Sequence, residues 1–120
     1  MKRRADFLRA ARGIRKSTGS LTLEVCPTPE ELLRPGALRF GVTASRKVGG
    51  AVERNRAKRR LRAAARAVLP LSGTPGTDYV IVARRDTLTK AFDGLVADLA
   101  RAVSLAGATG RAPGKSGDRV

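Results

Sequence analysis

The densest chemistry in this sequence is cationic. Between residues 54 and 66 stand Arg54, Arg56, Lys58, Arg59, Arg60, Arg62 and Arg66, with no acidic residue among them. A guanidinium presents paired N–H donors in a planar fork that fits phosphate oxygens, and arginine is the dominant cation here. A helix built for stability alternates its charge signs, because like charges three or four residues apart repel. The run also starts at the positive end of an expected helix dipole, where a cation is unfavourable and an incoming anion is favoured. These residue types in this pattern point to a partner that carries many phosphates. Just upstream, Ser45, Arg46 and Lys47 add a hydroxyl and two cations, and Gly49 and Gly50 let another backbone come close. The GxxxxGK[ST] spacing of a nucleotide-binding loop is absent. Asn55 has two readings, a helix cap or an amide contact to a base or phosphate.

The whole composition agrees with a polyanionic partner. Twenty-five Lys and Arg against ten Asp and Glu leave a formal charge of +15 on 120 residues, enough self-repulsion to oppose compaction unless something neutralises it. An anionic membrane is the competing partner, but no apolar stretch approaches the ~20 residues that span a bilayer and the first residues lack an apolar signal core. The expected setting is therefore cytoplasmic, with no membrane. Histidine is absent, which removes the commonest general base and the usual nitrogen ligand of zinc. Cys26 stands alone, so it has no internal disulfide partner, and its apolar neighbours mark it as a structural thiol. A nuclease acting through its own acids would have to use Asp6, Asp78 and Asp86, which are scattered and form no metal motif.

The elements that must position these cations follow from hydrophobic period. Residues 2–12 read as a short helix that Gly13 stops, and residues 14–16 as a weakly signalled strand. Residues 21–25 and 38–43 alternate with period two and read as strands, most simply antiparallel neighbours. Between them, residues 30–33 suggest a helical turn. The basic run lies on a helix whose inner face is Ala57, Leu61, Ala64, Ala65 and Val68, starting near residues 51–54 and closed by Pro70. Residues 79–83 are continuously apolar, as in a central strand, and residues 88–106 form one further helix. The core is expected to be thin and aliphatic, in one domain over residues 1–106. Gly, Pro and charge dominate residues 107–120, the composition of a disordered tail.

Which nucleic acid is bound does not follow from the helix alone. No helix-turn-helix pair, zinc finger or dimerising heptad accompanies it for DNA. The deep RNA major groove would let helical arginines read backbone shape, while a sheet face near Phe7 could take an unstacked strand.

Residues 47–62, Lys-Val-Gly-Gly-Ala-Val-Glu-Arg-Asn-Arg-Ala-Lys-Arg-Arg-Leu-Arg, closely resemble the signature of the protein subunit of bacterial ribonuclease P. Residues 40–45, Phe-Gly-Val-Thr-Ala-Ser, are similar to the strand that leads into it. Ala5-Asp6-Phe7 with Gly13, and residues 78–84, extend the resemblance over roughly residues 2–105. It implies an α/β (α+β) two-layer sandwich of the ribosomal protein S5 domain 2-like type. Its order is helix-strands-helix-strand-helix, with one mixed sheet and a left-handed βαβ crossover, against the usual rule.

It also implies the non-catalytic protein subunit of an RNA-based endoribonuclease that removes the 5′ leader of precursor tRNA. In that family the catalytic centre and its Mg2+ belong mainly to the RNA, and a monomeric protein joins the RNA one to one. Carried onto this chain, Arg54, Asn55, Arg56, Lys58, Arg59, Arg60, Arg62 and Arg66 face ribonuclease P RNA, with Ser45, Arg46 and Lys47 beside them. Phe7 resembles the front-helix aromatic that lines the cleft for the single-stranded leader. The family often has a second aromatic where this chain has Ala11, and aromatics in the strand where it has aliphatics and Glu24. The alternative reading is a general or ribosomal RNA-binding structural protein.

Overall fold

The computed structural model describes residues 4–111, with side chains to residue 107. In chain order it contains α1 (Arg4–Ala11), β1 (Ile14–Thr18), β2 (Leu21–Pro27), a 3₁₀ turn (Glu30–Leu32) and β3 (Arg39–Thr43). There follow α2 (Ala51–Ser72), β4 (Thr77–Ala83), α3 (Arg85–Thr89) and α4 (Phe92–Arg111). The strands form one mixed sheet in the order β1-β2-β4-β3, with β3 parallel to β4 and the other pairs antiparallel. The expected adjacency of the strands at 21–25 and 38–43 is not found, because β4 lies between them. After β3 the chain runs through the 22 residues of α2 and returns parallel. The apolar Tyr79, Val80 and Ile81 gain burial on both faces only in the middle of the sheet.

Period-two alternation then divides the strands. Leu21, Leu23, Val42, Tyr79, Ile81 and Ala83 face α2 and α4 and build the main core with Leu61, Val68, Leu95 and Leu99. The inner face expected for α2 is the one buried, and its alanines Ala57, Ala64 and Ala65 are fully inaccessible. On the opposite sheet face α1 lays Phe7 and Ala10 over Cys26, Val80 and Val82. Burial pushes the Cys26 thiol up, away from the reactive thiolate.

Three helix boundaries differ from expectation. Pro70 does not close α2, which continues to Ser72. A proline this close to the end forfeits only the bond to the Arg66 carbonyl, while Val68 and Leu69 keep the turn packed. The helix expected over residues 88–106 is split at Lys90, which is extended. Thr87 explains the break: its buried hydroxyl donates to the Ser20 carbonyl at 2.6 Å and accepts from the Arg84 amide at 3.0 Å, which fixes α3 as a separate turn. Helix α4 runs past residue 106 to Arg111. Residues 112–120, the rest of the expected tail, lie outside the described residues.

A buried ion cluster joins α1 to the sheet. Asp78 at the start of β4 is fully buried, and it accepts from Arg39 on β3 at 2.8 and 2.5 Å, Arg9 on α1 at 2.6 Å and the Thr28 hydroxyl at 2.7 Å. Asp6 accepts from the same two arginines at 3.1 Å. Burial would raise both carboxyls, but the guanidinium hydrogen bonds, with Thr28 at Asp78, outweigh it and hold each below its ordinary 3.8. The sign follows from linkage. Both carboxylates contribute their full stabilisation above pH 3.8, and lose it as pH falls below that value through the folded-state pKa values. Asp78→Asn should cost about 3–5 kcal/mol in a urea melt at neutral pH, the range for breaking a buried pair from one side. Its penalty should shrink in melts taken progressively below pH 3.8. A neutral-pH loss under ~1 kcal/mol, a surface-pair value, would refute this account of how α1 is held.

Candidate nucleic-acid interface

The loop before α2 is shaped by its own backbone. Val48 is buried in the main core, and the amides of Val48 and Gly49 donate to the carbonyls of Ser45 and Arg46 at 3.0 and 3.2 Å. The Ser45 hydroxyl accepts from the Lys47 amide at 3.3 Å, which leaves the side chains of Arg46 and Lys47 exposed. Gly49 has φ 150°, and a Cβ there would stand 2.8 Å from the Cβ of Glu53, so glycine is required on both counts. Gly50 is the N-cap of α2, and its amide donates to the Glu53 carboxylate at 2.9 Å. Asn55 is therefore not the N-cap, and it lies exposed in the second turn of α2. The Gly50 bond also means that Glu53 serves the helix start, so an incoming phosphate would meet the side of α2 rather than its tip.

Along α2 the cations divide by exposure. Arg56, Arg59, Arg62 and Arg66 are exposed, as is the neutral Asn55, and Arg54 and Lys58 are half-buried. None of these cations, nor Arg46 or Lys47, has a carboxylate partner among the described residues, whose ion pairs all lie elsewhere. Arg60 is different. Its guanidinium donates to the Lys90 carbonyl at the break between α3 and α4, and its Nε is buried without a partner. On the helical wheel Arg60 flanks the apolar stripe beside Ala57 and Ala64, which sets it apart from Arg56, Arg59 and Arg62 in the sequence, although its carbonyl partner is not legible there.

The second sheet face offers a floor beside Phe7. Strand pairing sets Ser17, Thr22, Val82 and Thr43 in one row, with the Ser17 and Thr22 hydroxyls 3.0 Å apart. Thr43 leads directly into the cationic loop. Phe7 is half-buried, while Ala11, where a second aromatic was lacking, is exposed. Glu24 is buried on this face and pairs with Arg15 at 3.5 Å, so its charge is compensated within the protein. The row itself was missed from sequence, although the alternation in β2 and β4 implied it.

Among the described residues no group of three or more His, Cys, Asp or Glu is placed to hold a metal ion. Asp6 and Asp78, two of the acids that a nuclease reading needed, do come together, but arginines and a threonine occupy their oxygens, a donor set unlike the water-rich oxygen shell of Mg2+. No described helix is long and apolar enough to cross a membrane.

Residues 1–107 match the ribonuclease P family. The ribonuclease P protein component of Ruegeria pomeroyi is 49% identical over 104 residues, 86% of this chain and 82% of that protein. The chain belongs to the ribonuclease P protein family. The Caulobacter vibrioides component is 45% identical over 107 residues, covering 88% of this chain and 70% of its own length. The fold agrees with the RNase P protein of Staphylococcus aureus, with a TM-score of 0.70 at 24% identity over 88% of this chain and 93% of that one. For the Thermotoga maritima protein the TM-score is 0.69 at 21% identity, over 88% and 94%. The expected S5 domain 2-like α/β architecture with a mixed sheet is therefore present. Membership makes the chain the non-catalytic protein subunit of an RNA-based endoribonuclease, ribonuclease P, which acts on precursor tRNA.

The two classes of arginine on α2 should separate in a denaturant melt. Arg60→Ala should lose about 1–2 kcal/mol, the worth of a charge-assisted bond and its packed stem. Arg62→Ala should stay within ~0.5 kcal/mol of the parent, as exposed substitutions do. Equal stability of the two variants would remove the structural role given to Arg60.

Proposed function

We propose that the loop cations and the exposed side of α2 hold ribonuclease P RNA by its phosphates, and that the sheet face beside Phe7 receives the 5′ leader of precursor tRNA. The contact set is Ser45, Arg46, Lys47, Arg54, Asn55, Arg56, Lys58, Arg59, Arg62 and Arg66. Arg60 acts mainly as a tie to α3. One observation carries the reading: the cations of this surface have no carboxylate partner among the described residues, whereas Asp6, Glu24, Asp78 and Asp98 are each matched inside the protein. A line of unpaired arginines releases counterions when it meets a polyphosphate, which gives affinity with little sequence preference. The row Ser17, Thr22, Val82 and Thr43 ends beside that loop, with Ser17 exposed, Val82 and Thr43 half-buried and Thr22 buried, and it offers hydroxyls for a sugar-phosphate strand and few aromatic surfaces for stacking. Leader binding here rests more on the backbone than on the bases.

In this reading one protein copy joins one RNA in the cytoplasm, and the Mg2+ ions are held mainly by RNA, in keeping with the carboxylates being engaged by arginine. The cations lower repulsion between two RNAs and so favour both substrate docking and magnesium retention by the RNA.

Multiple-turnover cleavage of precursor tRNA at low magnesium by ribonuclease P RNA should rise when the protein is added, with no cleavage by protein alone. No stimulation from a folded protein would move the assignment to general RNA binding. Arg56→Ala should weaken binding of ribonuclease P RNA and lower the slope of log affinity against log salt by about one. An unchanged slope would show that Arg56 touches no phosphate.

A further inference from the structure

At the far end of α2 from the cationic loop, a groove of about 340 Å³ opens between the helix and the start of β3. Leu38, Phe40, Leu69, Pro70 and Pro75 line it, and so does Arg66, the last cation of α2. The volume is at the lower end for ligand sites and suits one flat ring system. On a helical wheel Arg62 and Arg66 stand on the same side as Ala65 and Leu69, so the phosphate-holding side of α2 leads into this groove without interruption.

Pro70 adds a polar feature at the same place. It has no N–H to return to the carbonyl of Arg66, four residues earlier, so that acceptor loses its usual helical donor. A lining of apolar surface, one cation and a carbonyl deprived of its donor matches a nucleotide. The base lies against the apolar wall, an exocyclic amine finds the carbonyl, and the phosphate meets the guanidinium. A second copy of this chain is a poor occupant, because each carries a formal charge of +15 and the groove's own charged lining is cationic.

We propose that this groove holds one unpaired nucleotide of the ribonuclease P RNA, its base against Leu38, Pro70 and Pro75 and its phosphate on Arg66 and Arg62. The proposal rests on the reading that the exposed side of α2 binds that RNA. It gives α2 two kinds of contact, backbone neutralisation along its length and a single base seated at its end.

The test uses the full chain assembled with ribonuclease P RNA and precursor tRNA, with the photo-crosslinker p-benzoylphenylalanine placed either at position 38 or at the exposed position 63. Position 63 reports on the helix surface, and position 38 on the groove. Cross-linking from both, with position 38 joined to one unpaired nucleotide of ribonuclease P RNA, is the expected result. Cross-linking from 63 alone overturns the groove while leaving the helix reading intact, and no RNA cross-link from either position overturns both. A position-38 cross-link to precursor tRNA or to a second protein copy overturns the groove's stated occupant.

Binding of the same RNA supplies an independent measurement. Leu38→Trp, which fills the groove, should weaken affinity about tenfold, as loss of one stacked base does. Its salt slope and melting temperature should not change. Pro70→Ala, which returns an N–H to the Arg66 carbonyl and cannot break the helix, should weaken affinity about threefold by removing one neutral hydrogen bond. Parental affinity in both variants would refute the proposal.

Discussion

Asp78 lies fully buried at the start of the central strand, and it stays ionised there because Arg9, Arg39 and Thr28 all donate to it. Those three donors come from α1, β3 and the turn after β2. One carboxylate therefore fixes how the front helix, the edge strand and the loop beneath them meet. The main core cannot do this, because it lies on the other side of the sheet, against α2 and α4. Only Ala10, Cys26 and Val80, with Phe7 and Val82, back up the ion cluster on the α1 side. So small an apolar contact would leave α1 loosely held, and α1 is the element that carries Phe7 to the edge of the sheet face proposed for the leader.

The cluster also explains where the charge of the protein is available. Acids are few, and the fold places Asp6, Asp78, Glu24 and Asp98 where each meets a cation at a junction between elements. Ser20 donates to Asp98 at 2.7 Å, which, with Lys90 nearby, holds that carboxyl below its ordinary value and fastens the β1–β2 turn to α4. The loop before α2 and most of α2 are left without such partners. Segregation of matched from unmatched charge, rather than the total of +15, is what sets the proposed RNA surface apart.

Much of this was legible from the residues. The inner face of α2, the central position of β4 and the cationic surface follow from period and charge, which act within one element. What failed depended on contacts between elements. The strands at 21–25 and 38–43 read as neighbours because nothing local announces that the chain leaving β3 will return between it and β2. Pro70 reads as a stop because the rule against proline weighs the lost hydrogen bond and not the burial of Val68 and Leu69 around it. The single helix expected over residues 88–106 breaks at Lys90 because Thr87 is tied to Ser20 in a distant turn. Arg60 and Arg62 differ in the sequence only by their place on the wheel, yet one meets a carbonyl across the helix pair and the other faces outward.

The alanines on the inner side of α2 bear on how such a protein can change over generations. Ala57, Ala64 and Ala65 have no free surface, so a larger side chain at any of them would push the helix off its neighbours, at about 1–3 kcal/mol each. The outward side has no comparable limit, since a long cation there touches mainly water. Mutational drift is thus confined by size on one side of a single helix and by charge on the other. The outward composition of α2 can be rewritten, arginine for lysine or one position for the next, without renegotiating the packing that holds the helix in place.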